Sequence, residues 1–341
     1  MNFCTIFDSN YLSRGLAMYN SLMKNSPNSE LYIVCLDYKL YEFLLECKYT
    51  NIIPILLSEI ELNNPKLEKA KNNRSYVEYI FTLSPSIPLF LFKKFPHIEM
   101  ITSLDADVYF FSDPAILFKD ANAFSIAVTP HRFTNRMKYL EKYGHYNVSF
   151  QTFKNDEIGN TCLMKWENDC IDWCYDKYEK TRFADQKYLD DWVNIYPNVK
   201  IFANGSGVAP WNIKDKDITC DDSGSVYYKN DRLIYFHFHG LRNISSNLFS
   251  IGLNEYLVTR RTKIIKYLYV NYIKELNMFS ESEINKFNRN DKIKRGMKLG
   301  VGKYIYYIFL ADLYLFKEGK LNRIPNFNFV RYINTLIKSI K

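Results

Sequence analysis

The sequence of 341 residues predicts an α/β fold in which a mixed, mostly parallel sheet is flanked by helices. Three apolar runs, at residues 3–7, 31–36 and 52–57, are typical of strands. Between them, apolar residues recur at helical spacing over residues 12–22 and 40–47. Such a βαβαβ opening predicts parallel strands joined by right-handed crossovers. No glycine-rich phosphate loop follows the first strand, so an ordinary dinucleotide-binding fold is not expected.

The rest of the chain continues this alternation as far as residue 246 and then changes texture. We predict helices at 76–82, 87–95 and 161–177, strands at 123–129, 147–153, 199–202 and 233–238, and a loop over the polar residues 58–73. Beyond 246, Lys and Tyr alternate with Ile and Leu, which predicts amphipathic helices at 257–276, 304–316 and 329–340. We therefore divide the chain into an α/β domain at 1–245 and a basic, aromatic-rich helical extension at 246–341.

An apolar strand that ends at Leu104 runs into Asp105-Ala106-Asp107. Two carboxylates this close are costly to keep ionised unless a cation lies between them. Carboxylate oxygens suit Mg²⁺ or Mn²⁺, above all with diphosphate oxygens as further ligands. Open α/β sheets bind ligands beyond the carboxyl ends of their strands, which is where this pair is expected. The alternative is an ordinary turn or capping pair, because Asp-x-Asp alone is common.

Composition and charge exclude several classes of protein. Hydrophobic residues make up 47% of the chain and aromatic residues 17%, which excludes a disordered chain. Seven scattered cysteines indicate reduced thiols, and we find neither a secretion signal nor an apolar run long enough for a membrane span. These features predict a cytoplasmic protein.

The positive charge is concentrated at the carboxyl-terminal end. Residues 260–341 carry 18 Lys and Arg against 6 Asp and Glu, whereas residues 1–259 carry 27 against 31. A basic, aromatic-rich tail indicates contact with anionic lipid or nucleic acid. Because no nucleic-acid motif appears, we expect a peripheral contact with the inner face of the cytoplasmic membrane and no nucleic-acid partner. The alternative is that the extension is a helical cap packed on the rest of the chain, with its lysines solvated.

Several weak motifs stand in one order along residues 1–245. They are Phe7-Asp8-Ser9-Asn10-Tyr11, Asp105-Ala106-Asp107, Tyr146-Asn147-Val148, Asp185-Gln186 and His237-Phe238-His239-Gly240. The ordered set resembles nucleotide-sugar glycosyltransferases of the GT-A fold, most nearly the retaining family eight of the glycogenin and bacterial galactosyltransferase type. The blocks at 182–192 and 207–212 look like a bacterial group of surface-polysaccharide (lipopolysaccharide or capsule) glycosyltransferases.

This resemblance implies a divalent metal site and a nucleotide-sugar donor. Asp105 and Asp107 would be metal ligands, with His237 as the third, and imidazole suits Mn²⁺ better than Mg²⁺. His239 is the alternative third ligand, since residues two apart on a strand point the same way. The donor is expected to be of the UDP type.

The resemblance also assigns residues to the donor itself. Phe7, Asp8 and Asn10 would meet the base and ribose, and Tyr11 could stack on the base. Asn147 could bind a sugar hydroxyl. The alternatives for Asp8 and Asn10 are helix-capping roles, and for Asn147 a turn role.

Asp185 and Gln186 are the catalytic candidates that the resemblance implies. Asp185 would hold donor sugar hydroxyls, and Gln186 would lie under the anomeric carbon, where its amide oxygen stabilises positive charge. An amide is too weak a nucleophile for a convincing covalent intermediate, which favours front-face transfer with retention. The alternative is that the pair merely begins a helix.

The sequence departs from the family in two places, and its acceptor side is less marked. Asn147-Val148-Ser149 stands where Asn-Ser-Gly is usual, and no diphosphate-binding lysine follows Gly240, although Arg242 could supply that charge. On the acceptor side, the candidates are His131, Arg132, Trp211 and Asn212.

We expect a metal-dependent glycosyltransferase of the hexosyltransferase type. It would move a sugar from a nucleotide donor to a glycan or lipid-linked acceptor in bacterial surface polysaccharide synthesis. One alternative is a sugar nucleotidyltransferase, although its glycine-rich basic amino-terminal loop is missing here. Another is a non-catalytic sugar- or membrane-binding protein of the same fold.

Overall fold

The computed structural model describes residues 1–245, 247–287 and 313–324. Within these ranges the strands are β1 (Asn2–Phe7), β2 (Glu30–Cys35), β3 (Ile52–Leu56), β4 (Met100–Leu104), β5 (Val108–Phe110), β6 (Ile126–Pro130), β7 (Tyr146–Lys154), β8 (Val199–Ile201), β9 (Ile218–Cys220), β10 (Val226–Tyr228), β11 (Asp231–Arg232), β12 (Tyr235–His237), β13 (Arg242–Ser245), β14 (Leu248–Ser250), β15 (Leu313–Lys317) and β16 (Lys320–Arg323). The α-helices are α1 (Leu12–Asn25), α2 (Tyr38–Cys47), α3 (Leu57–Asn63), α4 (Lys66–Asn73), α5 (Tyr76–Leu83), α6 (Ser86–Lys94), α7 (Glu157–Asp172), α8 (Trp192–Ile195), α9 (Thr262–Ile264) and α10 (Val270–Phe287).

The central sheet has the strand order β3-β2-β1-β4-β7-β6-β8. Strands β3, β2, β1 and β4 are mutually parallel, and β8 is parallel to β6, whereas β7 is antiparallel to both of its neighbours. The predicted α/β class with a mixed, mostly parallel sheet is therefore confirmed. The carboxyl ends of β1 and β4 lie side by side near the middle of the sheet, which sets the position of the candidate site.

Helix α1 packs directly on the end of β1 because Gly15 leaves room for a buried ring. A Cβ atom at Gly15 would lie only 2.3 Å from the tip of the Phe7 side chain, which is 3% exposed. The turn between the two elements is capped by Asp8, whose carboxylate accepts a hydrogen bond from the Asn10 backbone N–H at 3.0 Å. This close packing fixes the position of the residues that follow β1 relative to the edge of the sheet.

The loop prediction for residues 58–73 is wrong, because helices α3 and α4 occupy this segment. Only Ile60, Leu67 and Ala70 bury side chains there, and such sparse apolar spacing over a charged stretch gives a weak helical signal. The helices gain support from local polar contacts. One is the Glu59 carboxylate, which accepts a hydrogen bond from the Leu56 N–H.

The helix predicted at 161–177 exists but is displaced towards the amino terminus. Helix α7 begins at Glu157 because Asp156 caps it, accepting a hydrogen bond from the Gly159 N–H at 2.8 Å. It ends at Asp172, and Trp173 is already extended. The aspartate before an apolar helical run was the start signal that the prediction overlooked.

Beyond residue 246 the predicted helices are only partly correct. The first begins at Thr262 rather than 257 and continues through a π-helical turn at Ile265–Tyr269 into α10. Of the helix predicted at 304–316, residues 313–316 instead belong to strand β15, which forms a hairpin with β16 through a turn at Glu318 and Gly319, both with positive φ. Residues 304–312 and the helix predicted at 329–340 lie outside the described residues.

The described part of the extension shares a core with the rest of the chain. The Tyr272 ring on α10 stacks on Phe238 with ring centroids 4.0 Å apart, and it meets the edge of Tyr109 at 5.6 Å. The domain boundary near residue 246 stays a prediction. No helix in the described ranges has the length and apolar character needed to cross a membrane.

Candidate active site

The Asp105-Ala106-Asp107 segment is the turn between the central strand β4 and the short strand β5. Strand β7 fixes its start, because the Asp105 N–H donates to the Ser149 carbonyl at 3.1 Å. The turn closes through a hydrogen bond of 3.3 Å from the Val108 N–H to the Asp105 carbonyl. Both carboxylates are therefore held by backbone contacts at the carboxyl end of a parallel strand, where α/β sheets bind ligands.

His237 reaches these carboxylates because strand β12 pairs antiparallel with β5, with His237 opposite Val108. The His237 Nε2 atom lies 3.1 Å from an Asp107 oxygen and 3.6 Å from an Asp105 oxygen. One ligand atom from each of the three residues lies within 4.8 Å of the other two. The structure thus brings together the three residues that the sequence predicts as metal ligands.

Charge coupling within this Asp-Asp-His group is strong. Burial favours the neutral form of Asp107, but the positive charge and hydrogen bond of His237 outweigh it and hold the pKa of Asp107 below its usual value. Burial also opposes a charged His237, yet the two carboxylates raise its pKa. Burial raises the pKa of Asp105, His237 opposes that shift, and Asp107 adds to it. Two like charges a few ångströms apart need a cation.

The donor set fits a divalent metal ion. Two carboxylates and one imidazole suit Mn²⁺, and the Asp105 side chain remains 41% exposed, so the site is open on one side to oxygens from a substrate. His237 is 5% exposed, and its Nδ1 atom has no hydrogen-bond partner in the described residues, so its Nε2 atom makes the polar contacts of the ring.

His239, the alternative ligand, lies beside the group rather than within it. Its ring centroid is 5.5 Å from that of His237 and 5.5 Å from that of Trp211. His237 is the imidazole in contact with both carboxylates, which favours it as the ligand.

The residues predicted to meet the nucleotide lie where β1 passes into α1. Asp8 accepts hydrogen bonds from the Asn10 side-chain amide at 3.0 Å and from the Tyr76 hydroxyl at 3.2 Å, so the capping role is present. The Tyr11 ring is 42% exposed and close enough to Asp105 and Asp107 for their negative charges to contribute to its raised pKa, which is due mainly to burial. Phe7 is buried under Gly15, and its role at the nucleotide stays a prediction.

Asp185 is a buried carboxyl whose charge acts on the Asp-Asp-His group. Its Oδ2 atom accepts a hydrogen bond of 2.6 Å from the Ser84 hydroxyl, and its carbonyl accepts one from the Trp166 indole at 2.9 Å. Burial raises the pKa of Asp185 to about 6, and its charge in turn helps to raise the pKa of Asp105. Asp185 therefore lies close enough to the candidate metal site for its charge to act on Asp105.

Gln186 follows at the start of a 3-10 helix, Gln186–Asp191. Its Nε2 atom donates to the Tyr143 carbonyl at 3.1 Å. This contact fixes the orientation of the amide. In the described part of the chain, the amide oxygen accepts no hydrogen bond. The catalytic roles of Asp185 and Gln186 stay predictions.

Comparison with known proteins places the chain in a family. No protein-family model matches the chain. It is 30% identical over 279 residues to YfnD, an uncharacterized protein of Bacillus subtilis (strain 168), and the match covers 81% of this chain and 88% of YfnD. The chain belongs to the YfnD family. YfnF of the same organism, also uncharacterized, is 29% identical over 255 residues, covering 72% of this chain and 83% of YfnF.

The fold of this YfnD-family chain is that of GT-A nucleotide-sugar glycosyltransferases. It superposes on the galactosyltransferase LgtC, a structure determined with donor and acceptor sugar analogues, with a TM-score of 0.51 and 13% identity. The superposition covers 82% of this chain and 95% of LgtC. The predicted GT-A fold is confirmed, whereas membership of family eight stays a prediction.

Arg14 is a charged residue of the YfnD-family site that the sequence analysis missed. Its guanidinium lies 4.6 Å from the centroid of the Tyr11 ring and donates to the Leu241 carbonyl at 2.9 Å. Its positive charge also contributes to the lowered pKa of Asp107, after the larger contribution of His237. The available signal was its position three residues after Tyr11, on the same face of α1.

Arg242, the predicted replacement for the family lysine, begins β13 and is exposed. It lies close enough to His239 for its charge to help lower the pKa of that imidazole. Its contact with diphosphate stays a prediction. The candidate site of this chain thus has two arginines nearby, Arg14 and Arg242, only the second of which was expected.

Asn147 and Asn212 use their amides inside the protein. Asn147 is 3% exposed, donates to the Thr129 carbonyl at 3.3 Å, and accepts from the Ser149 N–H at 3.1 Å. Asn212 is 2% exposed and donates to the carbonyls of His131 and Gly207, both at 2.8 Å. The structure therefore gives both residues a positioning role, and their contacts with sugar stay predictions.

The remaining acceptor-side candidates, His131, Arg132 and Trp211, form a layer next to the candidate metal site. The Arg132 guanidinium donates to the Ser206 carbonyl at 2.7 Å and also to those of Phe202 and Ala203, so it braces the loop that follows β8. His131 is 6% exposed, and burial lowers its pKa to about 3, so it is neutral.

Trp211 is the member of this layer nearest the predicted metal ligands. Its indole donates to the His131 carbonyl at 3.0 Å, and its ring meets the edge of His237 at a centroid distance of 5.4 Å. This packing orients the His237 imidazole. Contact of Trp211 with an acceptor stays a prediction.

Proposed function

We propose that this protein is a metal-dependent glycosyltransferase that transfers a hexose from a nucleotide-sugar donor to a glycan or lipid-linked acceptor. The observation that carries the proposal is the convergence of Asp105, Asp107 and His237 at the carboxyl end of the central strand of a GT-A sheet. The open face of this group offers room for phosphate oxygens, which complete the coordination of hard divalent ions.

A divalent cation held by these three residues would neutralise the charge that develops on the diphosphate leaving group. Arg14 adds a fixed positive charge close enough to Asp107 to help lower the pKa of that carboxyl. Tyr11 offers an exposed ring for stacking on a base, and Asp8 holds the turn that presents it. We infer Mn²⁺, because the ligand set contains an imidazole. A UDP-type donor is inferred from the resemblance to family eight.

We further propose that transfer retains the anomeric configuration. The charge of Asp185 acts on Asp105 of the candidate metal site, and Gln186 follows Asp185 in the chain. Neither side chain can act as an unhindered nucleophile. Asp185 is 2% exposed, and Gln186 is an amide. The leaving phosphate would then help to deprotonate the acceptor on the same face of the sugar.

Retention is a prediction that product analysis can test. The anomeric proton of the product should show the same coupling class, axial or equatorial, as that of the donor when the reaction is followed by NMR. The new linkage is a glycoside, which does not mutarotate, so its coupling constant reports the configuration as formed. A product of opposite configuration would overturn the proposed front-face route and require a carboxylate base near the acceptor.

The Arg14 side chain should matter for donor binding. We expect Arg14→Ala to lower kcat/KM for the donor by about tenfold to a hundredfold, because a charge-assisted contact with diphosphate is lost. Arg14→Lys should recover part of the loss if charge is the cause. Lys24→Ala, at the exposed far end of the same helix, is the matched control. Equal losses in the Ala and Lys variants would indicate that Arg14 acts only by holding the Leu241 loop.

The biological setting that we propose is bacterial surface polysaccharide synthesis at the inner face of the cytoplasmic membrane. The family resemblance of the catalytic domain supports the first part, and the basic carboxyl-terminal region supports a peripheral lipid contact.

The proposed activity is tested by incubating the purified full-length chain with a panel of nucleotide sugars, with Mn²⁺ or with EDTA. Release of nucleoside diphosphate from one donor, dependent on Mn²⁺, is the expected result. Parallel reactions with nucleoside triphosphates and sugar 1-phosphates test the nucleotidyltransferase alternative. Donor binding without turnover under any condition would favour a non-catalytic sugar-binding protein.

A further inference from the structure

An open cleft of about 710 Å³ lies next to the candidate active site. Its walls come from the segment after β6, the segment before β9 and the start of the carboxyl-terminal helices. The charged residues among those lining it are Arg136, Lys214, Asp215, Lys216, Arg260 and Lys263.

This cleft is strongly positive. Five of its charged side chains are cationic, and none of the five makes an ion pair in the part of the chain that the structure describes. The carboxylate of Asp215, the single acid among these residues, accepts hydrogen bonds from the backbone N–H groups of Lys263 at 2.7 Å and Ile264 at 3.3 Å, and within the described ranges it forms no ion pair with the five cations. Unpaired cations around a concave surface attract and hold anions.

One layer of aromatic rings separates the cleft from the predicted metal ligands. Tyr256 lines the cleft, and its ring contacts Trp211 at a centroid distance of 5.9 Å and His239 at 6.2 Å. On its other side, Trp211 packs against His237 at 5.4 Å. A second wall is tied to the backbone of the same residue, because the Thr134 N–H donates to the Trp211 carbonyl at 3.2 Å. An occupant of the cleft would therefore lie one aromatic layer away from the predicted metal ligands.

We propose that this cleft binds a phosphate or diphosphate group of the acceptor. The inference rests on the proposed glycosyl transfer and narrows the acceptor class to a phosphorylated one. The donor diphosphate has its own place at Asp105, Asp107 and His237, on the other side of Trp211. Clustered Lys and Arg side chains bind phosphate through charge-assisted hydrogen bonds, with arginine adding planar, bidentate contacts.

Anion binding by the full-length protein tests the cleft directly. Inorganic diphosphate is titrated calorimetrically in EDTA, so that the metal site cannot contribute. The double variant Lys216→Glu/Lys263→Glu should bind about tenfold more weakly or worse, because two attractive contacts become repulsive. The control Lys69→Glu/Lys119→Glu makes the same charge change at exposed positions elsewhere and should bind as the wild type does. Binding should also survive in Asp107→Ala.

A second probe distinguishes two sources of the same phosphate chemistry. Geranyl diphosphate carries the diphosphate on an isoprenoid chain. Binding at least tenfold tighter than inorganic diphosphate would identify a lipid-linked acceptor, and equal binding a soluble phosphorylated glycan. Either result supports the phosphate site, provided that binding of the probe is lost in Lys216→Glu/Lys263→Glu.

The proposal is overturned if wild-type protein does not bind diphosphate, or if both double variants bind equally. It is also overturned if Lys216→Glu/Lys263→Glu keeps diphosphate binding but no longer sediments with phosphatidylglycerol vesicles, which would make the cleft a membrane-surface contact. These results are independent of turnover. A wild-type protein that binds diphosphate through the cleft but releases no nucleotide from any donor would contradict the glycosyltransferase proposal and leave the anion site established.

Discussion

Replacing Asp107 with alanine is expected to reduce Mn²⁺-dependent sugar transfer by about a thousandfold while the fold is retained. The carboxylate is the group nearest to His237, at 3.1 Å, and its removal leaves two of the three predicted ligands. The phosphate charge that develops as the glycosidic bond breaks would then lack its main counter-charge. Asp105→Ala should have an effect of similar size.

The same variant has a readout that does not depend on turnover. Wild-type protein should unfold at a higher temperature in Mn²⁺ than in EDTA, because an ion that binds only the folded state stabilises it. Asp107→Ala should lose most of that difference. Asp113→Ala removes another carboxylate just beyond β5, one that caps a 3-10 turn through the Ala115 N–H, and it should keep both activity and the Mn²⁺ shift. Near-normal turnover of Asp107→Ala in Mn²⁺ would refute the metal assignment.

Replacing Asp185 with asparagine is expected to change stability and activity in opposite directions. Burial raises the pKa of Asp185 from 3.8 to about 6. Below pH 3.8 the carboxyl is protonated in both the folded and unfolded states and carries no penalty. Between pH 3.8 and 6 only the unfolded state loses its proton, so the free energy of unfolding falls as pH rises. Above pH 6 the loss is complete, about 3 kcal/mol for a shift of this size.

Asparagine cannot ionise, but it can still accept the hydrogen bond from Ser84, so Asp185→Asn should avoid this loss. The free energy of unfolding of the variant, relative to the wild type, should rise by about 3 kcal/mol between pH 4 and pH 8 in urea titrations. Transfer activity should fall at least about tenfold if Asp185 holds donor hydroxyls as proposed, since the group then loses its charge. Asp191→Asn changes an exposed carboxyl nearby and should show neither effect. A pH-independent difference for Asp185→Asn would contradict a buried, ionisable carboxyl.

Much of the fold was predictable because the core strands are nearly continuous apolar runs. Strands β1, β2 and β4 are mostly buried, and the edge strand β3 partly so, which gives a strong signal at their positions and at the Asp105–Asp107 turn that follows β4. His237 could be matched by motif, but its place beside Asp107 depends on β12 pairing with β5, a contact between residues about 130 positions apart along the chain. Residue types alone do not fix such a pairing.

The parts that sequence analysis missed are those set by tertiary contacts. Arg14 looks like an ordinary helical surface residue until the Leu241 loop is packed against it. The segment at 313–316 has an apolar pattern compatible with a helix, and it becomes a strand because β14 and β16 pair with it on either side. The basic cleft is assembled from separate segments, so no single stretch of sequence signals it.

Anomalous X-ray diffraction from a crystal of the protein soaked with Mn²⁺ and UDP tests the central claim most directly. We predict one strong manganese peak coordinated by Asp105, Asp107 and His237 at about 2.2 Å, with diphosphate oxygens completing the shell on the open side. Manganese elsewhere, or a nucleotide bound away from these three residues, would contradict the account.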